Sequence, residues 1–437
     1  MNIPFHFTIS RINNRVIYGI AIMVFILYAV FYTSTLADVP FHPDESTQIF
    51  MSADVDTLLT SIDKLYWNST LSNDLRQHYR LLDAPVTRYL IGTARLLNQA
   101  PALPNDWDWS LSWQQNQERG ALPDVSLLWL ARLSVAWLAL ISLIFFFDIV
   151  QKVSHPLIAL LASILLALSP LFLLHTRRAM AESALLFFGI LSIWVMLRFP
   201  HRPIFIGAVC ALAFCSKQSA AVLVFPAILV ICMQSKNKIS SRLMNLFMFF
   251  ISFLLVILLL NPFLWKNPLQ AAQQAWQQRA LLTQQQQELI FERSPEKQTD
   301  DFIQKTASLI GALYFQAPAV ADVANYLQDT TDASQHYFAN PLNNLLHDLY
   351  GAIIQLTLGI LGLILFIMHA IKNSGPRSGK TLILVTFLCI TISLLFFTPF
   401  PFQRYYILLL PWIQLWTTYA LIGPLTFNHS ASGKNPT

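Results

Sequence analysis

Four stretches of the chain crowd ionisable side chains into otherwise apolar sequence: HPDESTQIF (42–50), DAPVTRYLIG (83–92), SPLFLLHTRRAMAES (169–183) and TPFPFQRYYILLLP (398–411). In the first, Asp44 and Glu45 are adjacent. A carboxylate at a helix start is fixed in place and can take a proton from an attacking hydroxyl. It can equally satisfy orphan N–H groups and complement the helix dipole, and the two roles are compatible. The second stretch offers Arg88, Tyr89 and then Arg95, either as cations for a phosphate or as snorkelling side chains on an amphipathic helix. The third crowds Arg177, Arg178 and Glu182 where one apolar run ends and the next begins, and Glu182 is placed to pair with one of the arginines. The fourth holds Arg404 beside Tyr405 and Tyr406, a residue type frequent at membrane interfaces. Lys217, between Ser216 and Gln218, adds one more cation. Several cations with a few carboxylates suit an anionic head group with a base beside it.

Those residues need a scaffold, and composition says which kind. Of 437 residues, 55% are hydrophobic and only 12% charged, and the mean hydropathy is +0.51. This is the membrane class, so the structural unit is an apolar helix of about 20 residues. The run 16–36 follows Arg11 and Arg15, is too long for a signal-peptide core, and reads as an uncleaved first span with a cytoplasmic N-terminus. Further spans are expected at 125–150, 156–174, 180–198, 243–260, 349–371, 381–398 and 405–424. The segment 203–233 is interrupted at Lys217, and reads as a pair of short spans. That choice puts Lys236, Lys238, Arg242, Lys372, Arg377 and Lys380 on the cytoplasmic side, as the positive-inside rule requires. The result is an all-α integral membrane protein of about ten transmembrane helices, 1–424, with a cytoplasmic tail at 425–437.

In this topology Asp148 is the only acidic residue on the cytoplasmic side; the other twenty-two of the twenty-three Asp and Glu residues lie on the outer side or at its interface. Two large outer segments, 37–124 and 261–347, carry the polar sequence. Apolar spacing predicts amphipathic helices at 45–65 and 86–97, and a solvent-facing or interfacial helix in the glutamine-rich stretch from Gln270 to Arg293. The net charge of +5 is distributed as topology demands, and no nucleic-acid signature accompanies it. The four cysteines, Cys210, Cys215, Cys232 and Cys389, lie in apolar runs and read as small buried hydrophobes. No histidine or carboxylate spacing supports a divalent metal, no Ser-His-Asp order is present, and no internal repeat is evident.

The ordered set of motifs resembles the multi-spanning GT-C glycosyltransferases that use polyprenyl-phosphate sugars, among them protein O-mannosyltransferases and the bacterial lipid A aminoarabinose transferases. An acidic pair follows the first span (HPDESTQIF). A proline-centred motif then opens a helix (DAPVTRYLIG, where the family's HPPLGK motif has HPP and this chain has Asp83-Ala84-Pro85). Arg132 lies at the start of the second span in ARLSVAW, SPLFLLHTRRAMAES follows a long span, and RYYILLLP comes near the end. The resemblance implies that Asp44 is the base that activates the acceptor hydroxyl, with Glu45 as its structural partner and Glu182 as the second acidic position. It implies that Arg88 faces the donor phosphate and that Arg404 and Tyr405 lie near the donor head group.

The resulting expectation is an inverting glycosyltransferase on the outer face of the cytoplasmic membrane. Its donor is a polyprenyl-phosphate sugar and its acceptor a hydroxyl on protein, lipid or polysaccharide. The leaving phosphate is met by Arg88, Arg177, Arg178, Lys217, Arg404 and Tyr405, with no cofactor. A transporter or flippase for an anionic lipid would instead carry ionisable residues deep within its spans, and an envelope scaffold would depend on no single carboxylate. The spans are nearly free of charge, which favours the enzyme.

Overall fold

The computed structural model describes residues 13–71, 74–234, 239–293, 301–321, 326–345, 348–373, 375, 378–398 and 400–427. Lys236, Lys238, Arg377 and the tail from residue 428 lie outside them. Helix α1 (Asn14–Ser34) is followed by five short helices: α2 (Pro43–Met51), α3 (Asp54–Thr60), α4 (Leu75–Leu82), α5 (Val86–Leu97) and α6 (Trp113–Glu118). The central run is α7 (Val125–Val153), α8 (Pro156–Ala167), α9 (Pro170–Thr176), α10 (Ala181–Arg198), α11 (Pro203–Phe214), α12 (Val224–Gln234) and α13 (Ile239–Leu260). A second group of polar segments contains α14 (Pro268–Arg293), α15 (Phe302–Ile310) and α16 (Thr331–Ala339), and the chain returns through α17 (Leu349–Asn373), α18 (Gly379–Phe397) and α19 (Leu410–Phe427). There is no strand among the described residues.

Among the described residues six helices, α1, α7, α10, α13, α17 and α18, are long and apolar enough to cross a membrane. The expected span 156–174 is broken: α8 and α9 meet at 60°, because Pro170 has no N–H to continue α8 and instead starts α9 behind Ser169. Counted as one bent span, the pair makes seven. The other expected spans correspond to shorter or more polar helices. The segment 203–233 is indeed split, into α11 and α12 joined by a 3-10 turn, Gln218–Leu223. Helix α19 carries Gln414, Thr417 and Thr418.

The packing is that of a membrane body. Helices α7, α8, α10 and α19 bury Phe146, Leu166, Leu186, Trp412 and Trp416 in one cluster. Helices α1 and α13 turn Ile22, Leu27, Val30, Leu255 and Leu259 outward, which suits a lipid boundary. Close helix approach uses small residues. A Cβ on Gly362 of α17 would come 1.8 Å from the Trp416 carbonyl oxygen of α19.

The amphipathic helix expected over 45–65 is not continuous. It divides into α2, α3 and a 3-10 turn, Ile62–Leu65. Ser52 turns its hydroxyl back onto the Ile49 carbonyl (2.6 Å), competing with the helix ladder. Helix α5 packs into the break, where a Cβ on Gly92 would lie 2.5 Å from the Ser52 carbonyl oxygen. This break stacks α2, α3 and α5 above the N-terminal end of α7.

Candidate functional site

The cap of α2 is His42 rather than Asp44. The His42 Nδ1 accepts from the Asp44 N–H (3.1 Å), and the Glu45 carboxylate accepts from the His42 N–H (3.1 Å), completing a capping box. This corrects the capping role expected of Asp44, whose carboxylate meets Arg404 instead. Glu45 points inward and is fully buried. Arg132 grips it with two hydrogen bonds of 2.8 Å, and the Ala179 N–H adds a third at 2.9 Å. Arg132 also donates to the carbonyls of Leu36 and Val39. Burial opposes the charge on Glu45, but Arg132, Arg178 and the Ala179 N–H together hold its carboxyl below the usual range. Glu45 therefore ties α2, α7 and the turn before α10 together.

Asp44 is one-third exposed and forms an ion pair with Arg404. The Arg404 guanidinium lies 5.7 Å from the Tyr405 ring, and the Lys217 ammonium lies 4.7 Å over the same ring. Lys217 in turn meets the buried Glu182 at 2.7 Å. The structure thus brings five of the nine predicted site residues into one chain of contacts: Asp44, Arg404, Tyr405, Lys217 and Glu182. They come from α2, the turn before α19, the break between α11 and α12, and the first turn of α10.

The other cations are placed differently. Arg88 is buried against Asp54 (3.3 Å), which also takes both Nε and Nη2 of Arg80. Arg95 pairs with Asp56. Neither Arg88 nor Arg95 snorkels, because acidic residues of α3 meet them inside the fold. Arg177 is fully buried. It donates to Leu173 O, Thr35 Oγ1, Tyr337 Oη and Asn343 Oδ1 at 2.6–2.9 Å. Arg178 is buried as well and donates to the carbonyls of Pro40 and Val320. Both arginines tie loops together and are buried, away from the accessible cluster around Asp44.

Several residues around Asp44 escaped the sequence reading. Asp83, at the end of α4, is partly exposed. Burial raises its carboxyl above the usual range and Asp44 adds to the rise, while Arg279, Arg88 and Lys217 oppose it. Arg279, from the glutamine-rich helix α14, donates to Leu82 O and Gln218 Oε1. Asp106 accepts from the Tyr79 hydroxyl and is pushed up to about 6, chiefly by burial, with Asp44 contributing and the Tyr79 and Thr47 hydroxyls opposing. Thr47 lies one helical turn beyond Asp44 on α2, so Asp44 and Asp106 share that face. Among the described residues no group of three or more His, Cys, Asp or Glu side chains is spaced to hold a metal ion.

Residues 124–265 match the sequence model of the dolichyl-phosphate-mannose-protein mannosyltransferase family. That segment contains Arg132, Glu182 and Lys217, while Asp44 and Arg404 lie outside it. No curated protein matches the sequence. Among solved structures the chain is similar to the Archaeoglobus fulgidus oligosaccharyltransferase in three forms. The complex with zinc and sulfate gives 16% identity and TM-score 0.43 over 80% of this chain and 42% of that one. The apo form gives 13% and 0.44 over 93% and 53%. The form tethered to an acceptor peptide with the NVT sequon gives 12% and 0.39 over 90% and 50%. The chain spans about half the length of these structures. The family match covers about a third of the chain, and that segment is similar to the dolichyl-phosphate-mannose-protein mannosyltransferases.

Proposed function

We propose that the chain is an inverting glycosyltransferase that moves a sugar from a polyprenyl-phosphate donor to a hydroxyl acceptor on the outer face of the cytoplasmic membrane. The observation that carries this reading is the accessible Asp44–Arg404 pair, flanked by Tyr405, Lys217 and Glu182. A carboxylate held by a guanidinium is a weak base until the guanidinium finds another anion. The donor phosphate is that anion. It replaces Asp44 as the partner of Arg404, and Lys217 lies beside it as a second cation. Asp44 is then released, as a carboxylate, toward the acceptor.

In the transfer step, the acceptor oxygen forms a bond to the anomeric carbon as the bond from that carbon to the phosphate oxygen breaks. The acceptor proton passes to Asp44, and the lipid phosphate keeps the electron pair of the broken bond. Arg404 and Lys217 stabilise its growing charge. Single displacement of this kind inverts the anomeric centre. Glu182, buried against Lys217, holds the ammonium in place. In this reading both termini are cytoplasmic, and the fixed cations leave no step for a metal or cofactor.

The test is sugar transfer from polyprenyl-phosphate donors in membranes holding the Asp44→Asn variant. Loss of transfer with normal membrane insertion is the expected result, and wild-type transfer by that variant overturns the assignment. The side is tested with Ser110→Cys, an exposed position in the first outer segment. An impermeant maleimide should label it in right-side-out vesicles, and labelling only in inverted vesicles overturns the topology.

A further inference from the structure

Residues 105–119 read NDWDWSLSWQQNQER and place three of the chain's eleven tryptophans within seven positions. They build a wall of rings beside Asp44. Trp107 meets Phe41 (6.1 Å between centroids), Trp113 (5.4 Å) and Tyr326 (6.3 Å), and Tyr326 also meets Trp109 (5.8 Å) and the cap residue His42 (5.8 Å). Trp107 and Tyr326 are buried, whereas Trp109 remains 39% exposed. The wall therefore keeps one indole open above a packed aromatic base. The buried Trp107 Nε1 has no hydrogen-bond partner, and its neighbour in sequence is Asp106, the carboxylate that shares the Asp44 face.

The loop is held in shape by its own side chains. Asn116 is fully buried, accepts from the Asp108 N–H (2.8 Å) and donates to the carbonyls of Asp108 and Ser112. Asp108 Oδ2 meets Arg119 (3.0 Å), and Asn105 donates to the Arg119 carbonyl. Rings fixed in this way lose little freedom when a ligand lands on them.

We infer that Trp109 and the rings beneath it, with Asp106 at their edge, bind a saccharide as the acceptor. The inference rests on the glycosyl-transfer reading and supplies its acceptor class. A pyranose has an apolar face of C–H bonds and a rim of hydroxyls. It is met by an aromatic face beside a carboxylate. An acyl chain would gain nothing from Asp106. In the bound geometry the sugar face lies on Trp109, its hydroxyls reach Asp106, and an adjacent hydroxyl is carried to Asp44.

The experiment uses the full chain in detergent micelles. The probes are a panel of soluble oligosaccharides (neutral hexose, N-acetylhexosamine and uronic-acid types) and serine- or threonine-containing peptides, read by saturation-transfer NMR and titration. At least one saccharide should bind through its ring protons, with Trp109→Ala weakening it about tenfold or more and Trp109→Phe restoring part of the affinity. Binding of no saccharide, binding unchanged by Trp109→Ala, or a peptide that binds while the saccharides do not each overturns the inference. Saccharide binding at Trp109 in a protein whose Asp44→Asn variant still transfers sugar would remove the proposed base and leave the acceptor site standing. Loss of transfer in Asp44→Asn without saccharide binding would do the reverse.

Discussion

Asp44 and Glu45 are consecutive residues with the same functional group, each paired to an arginine, yet the two pairs have little else in common. A helix turns by about 100° per residue, so α2 sends Glu45 inward and Asp44 toward the accessible face. Glu45 and Arg132 are both buried, with every oxygen and most N–H groups engaged. Asp44 and Arg404 remain partly exposed, at 34% and 14% of their side-chain surface. A saturated buried pair has no capacity to meet a substrate. A half-open pair can exchange one partner for another. In the proposed reading, the difference separates the carboxylate that builds the site from the one placed to use it.

The comparison can be broken most severely at its buried half. Arg132→Leu leaves Glu45 charged and unpaired in the interior and should cost about 3–5 kcal/mol, seen as a collapse in the yield and melting temperature of the solubilised protein. A variant that melts like wild type would put Glu45 in the wrong class. Asp44→Asn should lower transfer about 10²–10⁴-fold, yet shift stability by less than about 1 kcal/mol, since the exposed pair is screened by water. Parallel activity and melting measurements separate the two effects.

The pH dependence sharpens the contrast further. Asp106 holds its proton up to about 6 in the folded protein, against about 3.9 in an unfolded chain. The native state thus binds the proton more tightly, and this contribution to stability is present below about pH 4 and is lost as the pH rises through about 6. Its size is about 2–3 kcal/mol. The difference in melting temperature between wild type and Asp106→Asn, followed from pH 4 to 7, should show that fall. The smallest effect belongs to the exposed Arg119–Asp108 pair, where Arg119→Ala should change stability by less than about 0.5 kcal/mol.

The helical membrane class was legible because hydropathy and length are local properties, and the glutamine-rich stretch formed its expected helix, α14. The break at Ser52 was not legible. It depends on how closely α5 approaches through Gly92, a tertiary fact that periodicity within 45–65 does not contain. The ionisable residues divide the same way. Their types were visible, but their partners are chosen across 87 residues for Glu45 and 360 for Asp44. The doublet Arg177-Arg178 looked available because arginines on the outer side oppose the topology rule, whereas loop carbonyls, with Thr35, Tyr337 and Asn343, had already claimed both. The tryptophan loop was not legible for a simpler reason: its signal is aromatic density rather than charge.

The distance along the chain between Asp44 and Arg404 also bears on biosynthesis. A ribosome makes the N-terminal helices first, and Asp44 is made long before the turn preceding α19 exists. The pair closes only after α1 to α18 have been made, a late non-local step of the kind that slows assembly. A nascent or truncated chain would therefore hold its carboxylate without the guanidinium that accompanies it.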